Sequence, residues 1–457
     1  MGSIYNSGSA VVGGTPPGRV PTYTEAAEWH RFTIFLNRMQ ALYRSLWLGT
    51  LLAAAGTCIQ SCRLSEQRVP YRNVTNAMRA GNPNRLAVPD TIPFEYINRV
   101  IIVKGQINGK PYRFIFDTGA PTIIWNEAAR ELGLAKATVS STARDARGTV
   151  LGLDLYAAER VQVGRLLVGQ MNVASLSTIA SELQCYANGG ILGSTFIRHY
   201  NWQIDYVHKR LIVATDFAQL KLPNQVIKVN ALGKRAEKLM LGNFSLLGKR
   251  ETFLVDTGSS GYINLDTETW SPKNVAGPTA HVVGQGYSKL GAGGRTKITT
   301  YALRADLSTP VGTVPNAVLE ANTERSKLGN GFFAQFGLIT LAYTPEQPAV
   351  YFPTRTVTAA PLETFGFRPI FAEEKKAVIV GHLYQHSAAE QAGLQVDDVI
   401  LTLNGRDLSQ LDFATYCRNN AAGVPSFPLE GDSVSLTVLR SGQKLTFAFR
   451  KRSLFPG

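Results

Sequence analysis

Two stretches of the chain, residues 100–124 (VIIVKGQINGKPYRFIFDTGAPTII) and 239–263 (LMLGNFSLLGKRETFLVDTGSSGYI), carry the same features in the same order. Each reads as an apolar strand, a turn (Asn108-Gly109 or Leu247-Gly248), a second apolar strand and then Asp-Thr-Gly. Asn-Gly between alternating apolar residues is a strong hairpin signal. The match resumes downstream, where GILGSTFIRHYNWQIDY (190–206) aligns with SKLGNGFFAQFGLITLAY (326–343). The interval from each Asp-Thr-Gly to its Leu-Gly is nearly equal in the two copies. Duplication explains this better than coincidence, and it limits the chain to folds built from two similar halves.

A chain of 457 residues suits two or three cores, so a third domain is expected beside the repeat. Hydrophobic residues make up 44% and charged residues 18%, with 42 Gly and 22 Pro, a composition for a turn-rich, strand-rich globular protein. The net charge of +14 comes from scattered Lys and Arg without any nucleic-acid-binding motif. It implies a basic surface near anionic lipid or substrate, and no nucleic acid. Of four cysteines, Cys185 and Cys417 lie far apart without metal-ligand spacing, so neither a disulfide framework nor a zinc site is expected.

Two carboxylates hydrolyse a peptide bond when one, ionised, takes a proton from water while the other, protonated, polarises the carbonyl. Close like charges resist joint ionisation, so such a pair holds one proton. Gly lets the backbone turn tightly beneath each carboxylate. Through Φ-Φ-Asp-Thr-Gly-(Ala/Ser) followed by Φ-Leu-Gly, both halves resemble the retropepsin and pepsin superfamily of aspartic peptidases, over roughly residues 95–355. The resemblance implies an all-β fold with few helices, two pseudo-symmetric β-barrel lobes (93–218 and 219–356) and a monomeric aspartic-type endopeptidase that needs no cofactor or metal. It implies Asp117-Thr118-Gly119 and Asp256-Thr257-Gly258 as the catalytic loops, with the two threonines cross-bonded. Leu192-Gly193 and Leu328-Gly329 would support these loops. Ala120, Ser259 and Tyr287 are expected at the substrate. The hairpins within 140–164 and 284–307 are candidate flaps closing over it.

Copy two departs from copy one at Lys327 (Ile191 in copy one) and Ala342 (Asp205 in copy one), positions expected to lie away from the chemistry. Ser259 offers a hydroxyl to Asp256, whereas Ala120 offers none to Asp117. A donor to the charged form lowers a carboxyl pKa, so Asp256 is expected as the base and Asp117 as the acid.

Residues 357–453 resemble a bacterial PDZ domain, with AVIVGHLYQHSAAEQAGLQVDDVILTLNGRDL followed by a helical stretch and two strands. That resemblance implies capture of C-terminal peptides by a carboxylate-binding loop, Phe365-Gly366-Phe367. At the other end, Leu46–Ile59 is an apolar signal-peptide core, and Ile59-Gln60-Ser61-Cys62 resembles a lipobox that would put a lipid on Cys62. Residues 1–62 are thus read as leader and signal, with Met39 the more conventional start, and 63–92 as a polar tether. The expected location is the periplasm-facing bacterial envelope, on a lipid anchor. A different class of function, a catalytically silent peptide-binding envelope lipoprotein, stays open. Gly-x-Ser-x-Gly, His-Glu-x-x-His and Walker A motifs are absent.

Overall fold

The computed structural model describes residues 67–68, 74, 76–232, 238–275, 281–344, 346–357 and 363–455, all within the unit Ser65–Gly457. The leader, the signal-like segment and Cys62 lie outside the described residues. Strands dominate, with short helices between them. Among the described residues no helix is long and apolar enough to cross a membrane.

The first half is built outward from a hairpin, Val100–Ile107 and Lys110–Asp117. Its turn residues Asn108 (φ 50°) and Gly109 (φ 85°) both lie in the left-handed region that a tight two-residue hairpin turn requires. From Val100–Ile107 the sheet runs through Lys110–Asp117, Gly190–Gly193, Ile123–Ile124, Leu166–Leu176 and Val150–Val163 to Lys136–Arg144. Val150–Val163 also pairs back onto Val100–Ile107, which closes the lobe on itself. In the second half the order is Met240–Leu246, Lys249–Val255, Lys327–Leu328, Ile263–Asp266, Gly312–Thr323, Lys297–Thr309 and His281–Tyr287. Lys297–Thr309 pairs back onto Met240–Leu246 in the matching way. The repeat seen in the sequence is therefore a repeat of strand order, and the all-β fold with two barrel-like lobes is what the chain adopts.

Alternation along the long strand Val150–Val163 divides the interior of the first lobe. Leu151, Leu153 and Leu155 pack with Ile115, Ile123 and Ile191 in one cluster. Ala158, Val161 and Val163 join the larger core shared by the two halves. The halves meet in a six-stranded sheet, in the order Val226–Asn230, Ala349–Pro353, Leu338–Ala342, Asn201–Asp205, Arg210–Ala214, Asp90–Pro93. At its centre Trp202 faces Leu341, Ile204 faces Ile339, and Gln203 faces Thr340 across an antiparallel pair. With Trp202 equivalent to Ile339, this register is its own mirror under exchange of the copies, so the pseudo-twofold axis passes between Gln203 and Thr340.

Two sequence expectations are corrected. Most of the described part of the expected tether is laid onto the first lobe: Gln67–Arg68 pairs with Val139–Ser140, Asn82–Pro83 with Gly169–Val168, and Val74 and Met78 are fully buried. Apolar side chains spaced along a polar stretch give it something to bury. Cys185 and Cys417, expected unpaired, form a disulfide. The helix Phe413–Ala421 of the C-terminal module packs on the helix Ser181–Tyr186 of the first lobe, a tertiary proximity that spacing along the chain does not encode.

That module has its own core, in which Phe367, Val380, Leu403, Tyr416 and Leu436 are buried. It is joined to the second lobe by main-chain pairing: Ala377–Tyr384 continues the sheet beside His281–Tyr287, with Gly284 opposite Tyr384 and Gly286 opposite His382.

Candidate active site

Both Asp-Thr-Gly triplets stand at the ends of buried strands, where the neighbouring strand holds each loop from beneath. Gly193 pairs with Asp117 in the parallel register of Gly190–Gly193 on Phe114–Asp117, and Asp256 donates its N–H to Leu328 O at 3.0 Å. One residue further, Ser194 N–H donates to Ala120 O (2.7 Å) and Asn330 N–H to Ser259 O (2.8 Å), the same bond in each copy. Leu192-Gly193 and Leu328-Gly329 thus sit under the two loops.

The loops brace each other across the pseudo-twofold axis. Thr118 N–H donates to Thr257 Oγ1 and Thr257 N–H to Thr118 Oγ1, both at 3.1 Å. Each hydroxyl donates onward to the strand before the opposite aspartate, Thr118 Oγ1 to Val255 O (2.6 Å) and Thr257 Oγ1 to Phe116 O (2.9 Å). Four bonds among fully buried threonines leave the loops little freedom to separate. The glycines are needed for closeness. A Cβ on Gly258 would lie 2.3 Å from Asp117 Cγ, and one on Gly119 would lie 2.8 Å from Asp256 Cγ.

The Asp117 and Asp256 side chains line one cavity, each within electrostatic reach of the other. Asp117 Oδ1 accepts the N–H groups of Gly119 (2.7 Å) and Ala120 (3.1 Å); Asp256 Oδ1 accepts that of Gly258 (3.0 Å). There the symmetry ends. Lys327 Nζ donates to Asp256 Oδ2 at 2.8 Å, an ion pair with both side chains about 10% exposed. Burial and the neighbouring charge of Asp256 push the Asp117 carboxyl up to about 7, despite the Gly119 amide. Burial is the largest influence on Asp256 and acts upward, but the charge and hydrogen bond of Lys327, joined by Asp117 and the charge of Lys238, together hold its carboxyl below its ordinary value.

This corrects the sequence reading in two places. Lys327, expected away from the chemistry, touches an aspartate, because the strand Lys327–Leu328 runs beside Leu254–Val255 and carries the lysine under the loop. Ser259, expected to donate to Asp256, instead accepts the Gly261 N–H at 3.4 Å. The direction expected for the two aspartates agrees with the structure, but Lys327 is its cause. The other departure, Asp205, is occupied by His208 and Arg210 on the six-stranded sheet.

Above the aspartates lies a cavity of about 210 Å³ whose apolar wall includes Ile115, Ile123, Leu153, Leu176 and Ile191. The tips of both hairpins line it, Ala143–Ala146 from the first and Leu290–Ala292 from the second. The tips touch, since Gly293 N–H donates to Asp145 Oδ2 at 3.0 Å, and Arg147 Nη1 of the first tip donates to Asn322 O on the strand Gly312–Thr323. Ala120 lines the same cavity, but Tyr287 does not. Its hydroxyl donates to Asp397 at 3.1 Å in the C-terminal module, and Lys297 lies over its ring. Tyr287 leaves the substrate side because its strand is the one the module pairs with, so the expectation that it meets substrate is corrected.

In the proposed carboxylate-binding loop, Phe365 and Phe367 pack against Phe449, and Gly366 takes φ 82°. The Gly366 N–H already donates to Thr364 Oγ1 at 3.1 Å. Sequence reasoning also missed Arg147, Lys238 and Asn330. Asn330 Nδ2 donates to Thr257 O (2.6 Å) and Arg99 O (2.8 Å) beneath the second loop. The one signal available was a lysine in a Φ-Leu-Gly strand that is otherwise apolar and buried.

Residues 103–196 match the family model described as aspartyl protease, which supports an aspartyl protease-like domain and a protease-like function for this stretch. The match includes Asp117 and its supporting strand. No curated protein matches the chain.

Proposed function

We propose that the chain is an aspartic endopeptidase that hydrolyses peptide bonds with Asp117 and Asp256. The observation that carries this reading is a pair of carboxyls that line one cavity from two cross-braced loops. A protein that merely held a peptide has no need of two carboxyls placed together on one cavity. In the proposed reaction Asp256 takes a proton from water as its oxygen attacks the scissile carbonyl carbon, while Asp117 gives its proton to the carbonyl oxygen. The resulting gem-diol collapses as the C–N bond breaks. The leaving nitrogen receives the proton held by Asp256, and one diol hydroxyl returns its proton to Asp117. The hairpin tips shield the dyad from bulk water and must part to admit a chain.

Three further parts of the reading rest on the sequence: the PDZ-like module as a binder of peptide termini, Cys62 as the lipidated residue, and the bacterial envelope as the site of action. For the first, the outer edge of Phe367–Ala372 is unpaired among the described strands, as strand addition by a peptide requires.

Incubating the protein with a peptide library tests the reading. Asp117→Asn and Asp256→Asn are each expected to reduce hydrolysis about 10²–10⁴-fold. Undiminished turnover in both variants would remove the dyad, and peptide binding without turnover by the unmodified protein would favour the silent binding lipoprotein.

A further inference from the structure

An aspartate pair made from two equal half-sites has no built-in direction, since either carboxyl can hold the shared proton. This one is unequal at one charged contact. Lys327 occupies the place of Ile191 in the other copy, and its ammonium lies 2.8 Å from Asp256 Oδ2, nearly out of water. With Gly258 N–H on Oδ1, both oxygens of Asp256 have donors suited to a carboxylate. The remaining charges around the pair add to the bias. Lys238 lines the same cavity, and Arg147 at the first hairpin tip attracts Asp256 through space. Arg144 and Asp145 line the cavity from that tip, and the buried Tyr343 phenol lies within electrostatic reach of Asp117. Among the described residues, no carboxylate besides Asp117, Asp256 and Asp145 lines the cavity.

We propose that Lys327 is a positioning residue that fixes Asp256 as the water-activating base and leaves the proton on Asp117, so that the dyad works in one orientation and up to neutral pH. The inference rests on the peptidase reading and specifies its chemistry. Lys327 touches no reacting atom in this scheme; it acts through Asp256. Hydrolysis requires Asp256 ionised and Asp117 protonated. The acidic limb of the pH profile therefore falls below the ordinary carboxylate range, and the alkaline limb falls near 7, where Asp117 loses its proton. Removing a cation favours protonated forms, so both limbs move upward when Lys327 is neutralised. The acidic limb moves further, because Lys327 bonds to Asp256 and reaches Asp117 only through space.

The experiment is kcat/KM against pH on one peptide for wild type, Lys327→Met, Lys327→Ile and Lys327→Arg, with Asp117→Asn alongside. Ile is the residue that copy one carries at this place, so Lys327→Ile guards against a packing failure in Lys327→Met. The neutral variants are expected to shift the acidic limb upward by about 1–3 units. Lys327→Arg should keep it near wild type. A purely structural lysine would alter the amount of active protein without moving the limb. An unmoved acidic limb in both neutral variants, with Asp117→Asn inactive, overturns the role of Lys327 and leaves the peptidase reading standing. Full activity in Asp117→Asn overturns the peptidase reading itself. A readout independent of turnover is the carboxyl 13C titration of the aspartates, with the Asp256 signal assigned by its loss in Asp256→Asn. That signal should titrate below the ordinary range in wild type and rise in Lys327→Met; identical titrations overturn the proposal.

Discussion

The two halves share a strand order, a closing pair, a threonine brace and a Leu-Gly support, yet they differ where those elements meet the chemistry and where they meet the rest of the chain. Copy one has Ile191 beneath its aspartate; copy two has Lys327. The edge of the first hairpin is covered by Gln67–Arg68, that of the second by the strand Ala377–Tyr384 of the C-terminal module. What both copies keep is what two lobes need in order to close and to face each other. Where they differ, one half has acquired a fixed charge and the other a different neighbour. The comparison teaches that the fold is symmetric by construction and the site is asymmetric by single substitutions.

The largest effect expected from this asymmetry is on stability. Asp256→Asn leaves the Lys327 ammonium buried without a carboxylate, and breaking a buried pair by removing one partner costs about 3–5 kcal/mol. Asp117→Asn leaves the Lys327 ion pair intact, and below pH 7 it replaces a mostly protonated carboxyl; about 1 kcal/mol or less is expected. Denaturant melts at pH 6 compare the two. The double variant Asp256→Asn with Lys327→Met should regain most of the loss, and equal losses in the two single variants would break the comparison.

A smaller difference separates the glycines. A methyl group on Gly258 would press on Asp117 Cγ at 2.3 Å, and one on Gly119 would press on Asp256 Cγ at 2.8 Å. Both substitutions displace the opposite carboxyl, and a displacement of about 1 Å lowers turnover about 10²-fold. Gly258→Ala should be the more damaging, because its methyl overlaps more closely. Single-turnover rates under saturating peptide measure this without confusion from binding.

How far the sequence foretold these features depends on whether a feature repeats. Two hairpins ending in Asp-Thr-Gly, the threonine brace and the supporting Leu-Gly strands were legible because each occurs twice, in local patterns of turn and alternation. Lys327 was visible as a departure, but its position relative to Asp256 comes from a parallel pairing between Leu254–Val255 and Lys327–Leu328, segments far apart in the chain. The Cys185–Cys417 disulfide and the contact of Tyr287 with Asp397 depend on docking of a third module, which leaves no periodic trace in either partner. Arg147 escaped for the same reason: its partner Asn322 belongs to the other half.

The smallest effect concerns Ser259 and Ala120, the pair whose difference the sequence offered as the source of asymmetry. A hydroxyl tunes a carboxyl only if it reaches it, and the Ser259 hydroxyl accepts from Gly261 N–H instead. The oxygens of Asp256 have their donors elsewhere, Gly258 N–H on Oδ1 and Lys327 on Oδ2. Ser259→Ala removes neither, so the acidic limb should move by no more than a few tenths of a unit, against about 1–3 units for Lys327→Met. Ala120→Ser is the more informative partner. The backbone N–H of Ala120 already donates to Asp117 Oδ1 at 3.1 Å, which puts a new hydroxyl within a short reach of that carboxyl. A donor to the charged form lowers the Asp117 pKa, so the alkaline limb should fall below 7 while the acidic limb stays in place. Profiles of kcat/KM against pH for the two variants on one peptide read both limbs at once. A shift in Ser259→Ala as large as that in Lys327→Met would mean that the hydroxyl turns toward Asp256 in the working enzyme, and the asymmetry would then have two sources.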